Sequence, residues 1–310
     1  MSQSTDTVLM ISPDHFRFND QTAETNAFQR FEQSRTNSGV LAMEEFNLLT
    51  QILEDNGVSV IKMSSRPDVE TPDAVFPNNW FSVHASEISD SLTLVMYPML
   101  TANRQLERQI ELLKSSLSAR GFKLGEMLDL THWETHGRAL EGTGSMVLDR
   151  QNKLAYAAIS PRMDVEILTE YCDRMGYRAL TFTSATEAGV VYHTNVMMSV
   201  GTGFAVVCIE SLINTVEANS VIESLTCAGK EIIPISIAQM SNMCGNILEL
   251  RSTTGEIIIA MSSRAFAAYS AEPTLVNALS KFGRIIHVPI PTIEDLGGGS
   301  VRCMLAEIFH

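Results

Sequence analysis

Apolar residues recur along the chain at helical spacing, and each such stretch ends at a glycine followed by a short run typical of a strand. The spacing in residues 103–120 predicts an amphipathic helix that ends at Gly121. The apolar face of that helix consists of Leu106, Ile110, Leu113 and Leu117. Residues 164–175 repeat the pattern before Gly176, with Asp164 as the predicted cap. The apolar face of this second helix consists of Val165, Leu168, Cys172 and Met175.

Helix–glycine–strand junctions divide the chain at nearly regular intervals. They lie at Gly57, Gly121, Gly176, Gly229 and Gly283, which are 53 to 64 residues apart. Further apolar runs at residues 92–97, 154–159, 204–209 and 256–261 add strands between the junctions. A regular period indicates copies of one supersecondary unit, so we predict an α/β fold of five similar units in a closed arrangement. An open α/β sheet of evenly sized units is the alternative, because its strands and helices also alternate.

The composition excludes several classes of protein. The chain has 310 residues, 45% hydrophobic and 19% charged, which is typical of a folded globular protein. Its formal net charge of −14 opposes binding to nucleic acid or to an anionic membrane through a general basic surface. No apolar run reaches the length of a transmembrane helix. We therefore expect a soluble protein that acts on a small molecule.

The cysteines indicate a reducing environment. They lie at positions 172, 208, 227, 244 and 303 and form no CxxC pair. An odd number of scattered cysteines predicts reduced thiols rather than disulfides or a zinc site. The first fifteen residues also lack the basic and apolar segments of a signal peptide. These features favour a cytoplasmic location.

Four polar islands interrupt the helix–strand pattern. They are PDAVFPNNW (72–80), ETHGRALEGTGS (134–145), VVYHTN (190–195) and EDLGGGSVRCM (294–304). Each falls at a predicted strand end or loop, where α/β scaffolds place their functional groups. We therefore expect the functional site to be built from these islands.

Cys303, in the last island, is the candidate nucleophile. It follows three consecutive glycines at positions 297–299, which let the backbone turn sharply and approach a ligand closely. The positive charge of the adjacent Arg302 would favour the thiolate. A small buried apolar thiol is the alternative interpretation of this segment.

His193 and Glu141 are candidates for acid–base chemistry. An imidazole close to a thiol holds the thiolate as an ion pair and later transfers protons. Glu141 lies in a glycine-rich bend, where its carboxylate would orient a histidine or bind an amino group. The alternatives are a hydrogen-bonded structural histidine and a solvated glutamate. His132 and His136 have the spacing of a metal-ligand pair, but no clear third ligand accompanies them, so we expect no metal.

The ordered set of motifs resembles that of a known superfamily. FPNN, EGTGS, a histidine and GGGSxxC follow one another as in the arginine deiminases, dimethylarginine dimethylaminohydrolases and amidinotransferases, which modify guanidino groups. The resemblance covers almost the whole chain. It implies a five-bladed, pseudo-symmetric α/β propeller, the pentein fold, as a single catalytic domain over residues 1–310. This implication agrees with the five-unit period.

The resemblance also implies roles for individual residues. The late cysteine of the family attacks the substrate carbon, which corresponds to Cys303. The family histidine is the general acid and base, which corresponds to His193. The family glutamate, which corresponds to Glu141, binds a substrate nitrogen and supports the histidine. A family arginine in a Ser-x-Arg-Thr context binds the substrate carboxylate, and Arg162 in SPRM is its counterpart, although Met163 replaces the threonine.

Two departures from the deiminase pattern change the expected substrate. Asn79 in FPNN and Asn195 in HTN stand where arginine deiminases carry aspartates that face the guanidinium. A buried guanidinium needs negative partners, whereas an asparagine amide offers a donor and an acceptor to a neutral ureido group. We therefore predict a citrulline hydrolase, similar to the citrulline-utilisation branch, in which Asn79, Asn195 and Arg162 bind the substrate.

The expected reaction is citrulline plus water giving ornithine, ammonia and carbon dioxide through a covalent thioester on Cys303. One alternative is a deiminase or amidinotransferase that uses a guanidino substrate. Another is a non-catalytic binding protein with the same fold. We expect no cofactor, no nucleic-acid or membrane partner, and a ureido or guanidino amino acid as ligand. The sequence leaves the oligomeric state undefined.

Overall fold

A computed structural model describes residues 2–30, 37–85 and 90–310. The strands, in chain order, are β1 (Thr7–Ile11), β2 (Ser59–Met63), β3 (Phe81–Ala85), β4 (Leu92–Met96), β5 (Leu124–Asp129), β6 (Val147–Asp149), β7 (Leu154–Ala158), β8 (Arg178–Phe182), β9 (Ala185–Thr186), β10 (Gly189–Val190), β11 (Met198–Val200), β12 (Phe204–Val207), β13 (Glu231–Pro234), β14 (Leu248–Arg251), β15 (Ile257–Ser262), β16 (Arg284–Val288) and β17 (Ala306–Glu307).

The helices are α1 (Asp20–Ala23), α2 (Ser38–Asp55), α3 (Ala102–Gln105), α4 (Ile110–Ala119), α5 (Gly142–Ser145), α6 (Val165–Met175), α7 (Thr194–Met197), α8 (Thr215–Cys227), α9 (Ile237–Ser241), α10 (Ser263–Ser270), α11 (Pro273–Ser280) and α12 (Pro291–Gly297). Short 3₁₀ turns span Pro77–Asn79, Thr131–His136, Ile209–Ser211 and Val301–Met304.

The sheets repeat one pairing pattern. In the described part of the chain, five sheets have three strands each, in the orders β17–β1–β2, β3–β4–β5, β6–β7–β8, β11–β12–β13 and β14–β15–β16. The middle strand of each pairs antiparallel with the first-named strand, here called the entry strand, and parallel with the last-named strand. Strands β9 and β10 form a separate hairpin. The α/β class is thus confirmed, and the strands form small separate sheets rather than one open sheet.

Glycines end the helices that connect the parallel strands. A parallel pair needs a crossover, and α2, α4, α6, α8 and α11 lie between the middle and last strands of the five sheets. Gly57, Gly121, Gly176 and Gly229 all have φ between 69° and 84°, the left-handed conformation that glycine adopts without strain. Gly283 is required for a different reason, because a Cβ there would lie 2.8 Å from the Ile257 side chain.

The helix predicted over residues 103–120 is interrupted. Two helices, α3 and α4, replace it, and the chain between them leaves Leu106 44% exposed. Arg104 and Glu107 turn inward and bind each other, with 2.8 Å between Nε and Oε1. The continuous helix was therefore a wrong prediction, because a buried ion pair takes the place of apolar packing at its start. Leu113 and Leu117 are buried on α4 as predicted.

The helix predicted over residues 164–175 is confirmed with one change to its buried face. The Asp164 side chain caps α6 by accepting from two backbone N–H groups. Val165 is 47% exposed, whereas Ile167 and Tyr171 are buried. Val165 is the first residue of the helix, where the backbone has just left the cap and the side chain points to solvent.

The first sheet joins distant parts of the sequence. Strand β17 pairs antiparallel with β1, and the Thr5 hydroxyl donates to the carbonyl of Ile308, 303 positions away, over 2.6 Å. The Gln3 side chain donates to the carbonyls of Leu148 and Val200, each over 2.9 Å. Residues 2–6 therefore tie the first sheet to two others, and the turn that carries Cys303 leads directly into β17.

Two global features bear on the sequence predictions. All five cysteines lie in the described residues and are free thiols, as expected. None of the helices in the described ranges combines the length and the apolar character needed to cross a bilayer.

Candidate active site

Loops that precede the entry strands carry the predicted site residues except Arg162, which lies between β7 and α6. The turn Pro77–Asn79 precedes β3, Glu141 is the N-cap of α5 before β6, and His193 is the N-cap of α7 before β11. The turn Val301–Met304 precedes β17. Helix α5 contacts both the first turn and α7, and the two turns contact each other. The common position of these loops within similar sheets therefore brings them to one place.

One cavity collects most of the predicted site residues. Asn79, Arg162, His193 and Cys303 line it. The remaining two residues are hydrogen-bonded to members of this group, Glu141 to His193 and Asn195 to Cys303. All six residues predicted from the sequence thus lie together.

His193 and Glu141 form a buried hydrogen-bonded pair. Nε2 of His193 lies 2.8 Å from Oε2 of Glu141, with side-chain exposures of 2% and 0%. An ionised carboxylate only accepts, so Nε2 carries the proton and Nδ1 is the basic nitrogen. Burial lowers the pKa of His193 to about 4, although Glu141 opposes this effect. The imidazole is therefore neutral at neutral pH and able to accept a proton at Nδ1.

Glu141 is held as a carboxylate by its other partners. Burial alone would raise its pKa, but Arg162 and the hydrogen bond with His193 together lower the pKa well below its usual range. Nη1 of Arg162 lies 3.4 Å from Oε2, and the backbone N–H of Leu100 donates to Oε1 over 3.1 Å. Glu141 is thus a fixed anion that orients the imidazole.

Cys303 is buried, and two asparagine side chains donate to its sulfur. Nδ2 of Asn195 lies 3.4 Å from Sγ, and Nδ2 of Asn246 lies 3.2 Å from it. The residue is 2% exposed and packs beside the glycine run, since a Cβ at Gly299 would lie 3.3 Å from the Cys303 Cβ. The sulfur therefore meets the cavity on one side and amide donors on another.

Arg302, which was predicted to favour the thiolate of Cys303, binds other groups instead. Its guanidinium donates to Glu307 over 2.9 Å and to the carbonyl of Leu305 over 3.0 Å. These hydrogen bonds join the turn Val301–Met304 to β17, and the charge of Arg302 is neutralised in a buried ion pair with Glu307. Amide donors rather than Arg302 surround the sulfur.

Arg162 lies in the cavity but is bonded to a strap, defined as residues 19–29. Its Nε and Nη2 donate to the Thr25 hydroxyl over 3.1 and 2.7 Å, and Nη2 also donates to the carbonyl of Thr22 over 3.0 Å. The neighbouring Met163, which replaces the family threonine, is buried in the core. The strap therefore occupies the guanidinium donors of Arg162, the residue that the sequence predicts to bind the substrate carboxylate.

Arg104 and Asp73 are site residues that the sequence argument missed. Nη1 of Arg104 donates to Oδ1 of Asn79 over 2.8 Å, and the same guanidinium binds both carboxylate oxygens of Glu107. Burial raises the pKa of Glu107 to about 7, although Arg104 opposes this effect. Asp73 lines the cavity, where burial raises its pKa, and its Oδ1 has no hydrogen-bond partner. Asp73 lies in the first polar island, so the sequence offered a signal for it. Arg104 lies in a stretch with helical periodicity, where nothing distinguished it from its neighbours.

The histidines considered as metal ligands lie outside the cavity. His136 is exposed and hydrogen-bonds to the Thr135 hydroxyl, while Nε2 of His132 lies 3.9 Å from Glu170. Across the described ranges, no group of three or more His, Cys, Asp or Glu side chains is arranged to hold a metal ion.

Solved structures similar to the chain include an arginine dihydrolase and a DDAH. ArgZ, an arginine dihydrolase from the ornithine–ammonia cycle in cyanobacteria, has a TM-score of 0.72 and 18% identity over 98% of this chain. The chain spans only 40% of ArgZ, but it covers 98% of the N-terminal domain of ArgZ bound to its substrate, with a TM-score of 0.69 and 18% identity. A DDAH from Pseudomonas aeruginosa complexed with citrulline has a TM-score of 0.62 and 13% identity, with 98% of this chain and 100% of that one covered.

These similarities show an α/β fold of several small sheets like that of the solved arginine dihydrolase and DDAH structures, and the family assignment comes from the sequence. No match is found among the curated proteins. The family described as N,N dimethylarginine dimethylhydrolase, eukaryotic, matches residues 12–310, almost the whole chain. The chain therefore belongs to the N,N-dimethylarginine dimethylhydrolase family, within the pentein superfamily that modifies guanidino groups.

Proposed function

We propose that the protein is a cysteine hydrolase of a ureido amino acid, with citrulline as the first candidate. Cys303 is the nucleophile, His193 the general acid and base, and Glu141 the anion that orients the imidazole. Citrulline and water give ornithine and carbamic acid, which decomposes to ammonia and carbon dioxide.

The orientation of the Asn79 amide carries this proposal. Arginine only donates, so the atom of Asn79 that faces Nη1 of Arg104 must be the carbonyl oxygen. The NH₂ group then points away from Arg104, and it has no hydrogen-bond partner although it is buried. A Cβ at Gly144 would lie 2.3 Å from this nitrogen and 2.8 Å from Nδ1 of His193, so the two nitrogens flank the same position.

A free donor beside the imidazole favours a ligand with an acceptor there. The ureido group has a carbonyl oxygen, whereas a guanidinium presents only N–H groups to its surroundings. A guanidinium would place donor against donor at Asn79, and a site with unpaired polar groups discriminates strongly against such a ligand. The unpartnered Oδ1 of Asn195 would accept from a ureido NH₂ group.

The other end of the cavity suits the backbone of an α-amino acid. Asp73 offers an unpartnered carboxylate oxygen, which would bind an α-ammonium group. Arg162, and Arg104 beside it, would bind the α-carboxylate once the strap releases Arg162. The charges at this end are therefore complementary to a zwitterion.

The chemistry proceeds in two steps. In the first, Nδ1 of His193 accepts the thiol proton, and Sγ of Cys303 forms a bond to the ureido carbon. One C–N bond then breaks, and the departing nitrogen takes the proton from His193. In the second, water replaces the departed amine, gives a proton to His193 and attacks the thioester carbon. The C–S bond breaks to release the thiolate, which then takes the proton back from His193. The NH₂ group of Asn79 would donate to the oxyanion that forms in both steps.

Hydrolysis of a guanidino amino acid is the second candidate. The family match and the arginine-acting relatives favour it, and Asp73, Glu107 and Glu141 place three carboxyl groups around the cavity. Two of these groups are already bound to Arg104 or Arg162. The unpartnered donor of Asn79 supports the ureido substrate over the guanidino one.

The test is to incubate the protein separately with citrulline, arginine and dimethylarginine and to measure ornithine, citrulline and ammonia. We expect ornithine from citrulline and no product from arginine. Cys303→Ala should abolish this turnover, whereas Cys227→Ala, a change at an exposed cysteine, should not. Citrulline formed from arginine would establish the second candidate. Turnover that survives in Cys303→Ala would refute a cysteine hydrolase of either kind.

We also propose that the five sheets are blades of one closed propeller in a single catalytic domain. Contacts between neighbouring entry strands support this arrangement, since β17 contacts β3 and β11 contacts both β6 and β14.

A further inference from the structure

The loop before β14 occupies a position equivalent to those of the other site loops. Four of the five entry strands are preceded by a residue of the proposed site, and the fifth, β14, is preceded by residues 242–247. Asn246 lies two positions before β14, just as Asn79 lies two positions before β3. The repeated architecture therefore directs the side chain of Asn246 toward the same centre.

Asn246 contacts the reacting sulfur in a defined orientation. Its Nδ2 lies 3.0 Å from the backbone carbonyl of Asn195 and 3.2 Å from Sγ of Cys303. A carbonyl oxygen only accepts, so the atom facing it must be the nitrogen, and the remaining N–H is available to the sulfur. The residue has no solvent exposure.

Tight packing holds this amide in place. A Cβ at Gly245 would lie 2.2 Å from the carbonyl oxygen of Val196, so the loop lies directly against the backbone of α7. Met243 has a φ of 64°, a conformation that a non-glycine residue keeps only where its surroundings impose it. The Tyr269 hydroxyl also anchors the loop by donating to the carbonyl of Cys244 over 2.8 Å.

A purely structural role does not account for Asn246. Its Oδ1 is buried and has no hydrogen-bond partner, which is unfavourable for a residue whose only task is to complete the packing. Both of its donor hydrogens, by contrast, are used, one by the loop of His193 and Asn195 and one by the sulfur.

We propose that Asn246 is a catalytic residue that stabilises the thiolate of Cys303. Hydrogen bonds to an ionised group are stronger than those to a neutral one, so two amide donors favour the thiolate over the thiol. When the thiol proton passes to His193, the negative charge on Sγ is met by Asn195 and Asn246. The charge is lost as the S–C bond forms and returns when water breaks the thioester. The hydrogen bond from Asn246 to the Asn195 carbonyl fixes the position of the two side-chain amides relative to each other.

This inference rests on Cys303 being the nucleophile, and thiol reactivity tests it without a substrate. Iodoacetamide alkylates the thiolate, and the modified Cys303 peptide is quantified by mass spectrometry across a pH series. The exposed Cys227 in the same sample serves as the reference thiol. Asn246→Asp replaces the NH₂ donor with an oxygen of nearly the same size. Asn242→Asp, the same change at an exposed residue of the same loop, is the matched control.

We expect Asn246→Asp to slow alkylation of Cys303 at neutral pH by about tenfold or more and to move the profile to higher pH. Asn242→Asp and the Cys227 rate should be unchanged. An unchanged Cys303 profile in folded Asn246→Asp overturns the inference and leaves the proposed function intact. If Asn246→Asp does not fold, the same alkylation measurement on Asn246→Ser tests the inference. Turnover retained by Cys303→Ala overturns both proposals.

Discussion

Gly144 provides a direct test of the site geometry, because it has no side chain at the point where Asn79 and His193 approach each other. Its φ is not in the left-handed region, so an alanine there has no backbone penalty. The effect of Gly144→Ala is therefore steric. The new Cβ would lie 2.3 Å from Nδ2 of Asn79 and 2.8 Å from Nδ1 of His193, where ordinary contacts begin at 3.4 Å.

The size of the effect follows from how little these groups can move. Asn79 must retreat by about 1 Å, but Arg104 holds its carbonyl oxygen and the imidazole is bonded to Glu141. Displacing a reacting group by about 1 Å costs on the order of 100-fold in rate. Overpacking a close-packed region costs about 1–3 kcal/mol of stability, which is less than the total stability of a typical folded protein.

Steady-state kinetics on the active substrate and thermal unfolding measure the two effects separately. We expect kcat/KM to fall by about 100-fold in Gly144→Ala while the protein stays folded. Gly39→Ala is the control, because its Cβ would lie 3.7 Å from its nearest neighbour and should leave activity unchanged. Near-normal activity in Gly144→Ala would mean that Asn79 and His193 do not act on the substrate at this position.

Other predictions concern charge. Asn79→Asp removes the free donor and adds a negative charge, so turnover of citrulline should fall by about 10-fold or more, while turnover of guanidino amino acids should rise relative to that of citrulline. Parallel assays of both substrates measure this preference. An unchanged preference would count against the proposed role of the Asn79 amide. Asp73→Asn should raise KM with little change in kcat, because the α-ammonium site acts equally on substrate and transition state; a loss confined to kcat would contradict it. The pKa of His193 is about 4 in the folded chain against an ordinary 6.5. Between pH 4 and pH 6.5 the unfolded chain therefore binds a proton at residue 193 that the folded chain does not bind. The free energy of unfolding falls as the pH falls through this range, and at about pH 5.5 it is about 1 kcal/mol lower than at neutral pH. Urea unfolding at several pH values should show this contribution in the wild type but not in His193→Gln.

The features that could be predicted from the sequence are those that a short run of neighbouring residues determines. The glycine junctions, the Asp164 cap and the six predicted site residues follow from short motifs, because each motif reports a conformation or a chemistry that a few neighbouring residues determine. The loops meet because similar sheets place them similarly, which the regular period already indicated.

Residues whose role depends on distant partners could not be identified in this way. Arg104 lies in a stretch with helical periodicity, and only the folded chain shows that its guanidinium turns inward to Asn79 and Glu107. Asn246 lies in NMCGN, where it resembles any loop asparagine until the sulfur of Cys303 is placed beside it. Arg302 is adjacent to Cys303 in sequence, but Glu307 captures its charge. Adjacency along the chain was thus a poor guide to the electrostatics of the thiol.

Because β1 pairs with β17, we expect the proposed nucleophile Cys303 to be one of the last parts of the site to assemble. The contact from Thr5 to Ile308 joins positions 303 apart, and the entropy cost of closing a loop rises with that separation, which is far longer than within the other four three-stranded sheets. In a refolding chain in which only the other four sheets have formed, the thiol of Cys303 would still be exposed to solvent and could be oxidised. The recovery of selective Cys303 alkylation during refolding would then report when the first sheet closes.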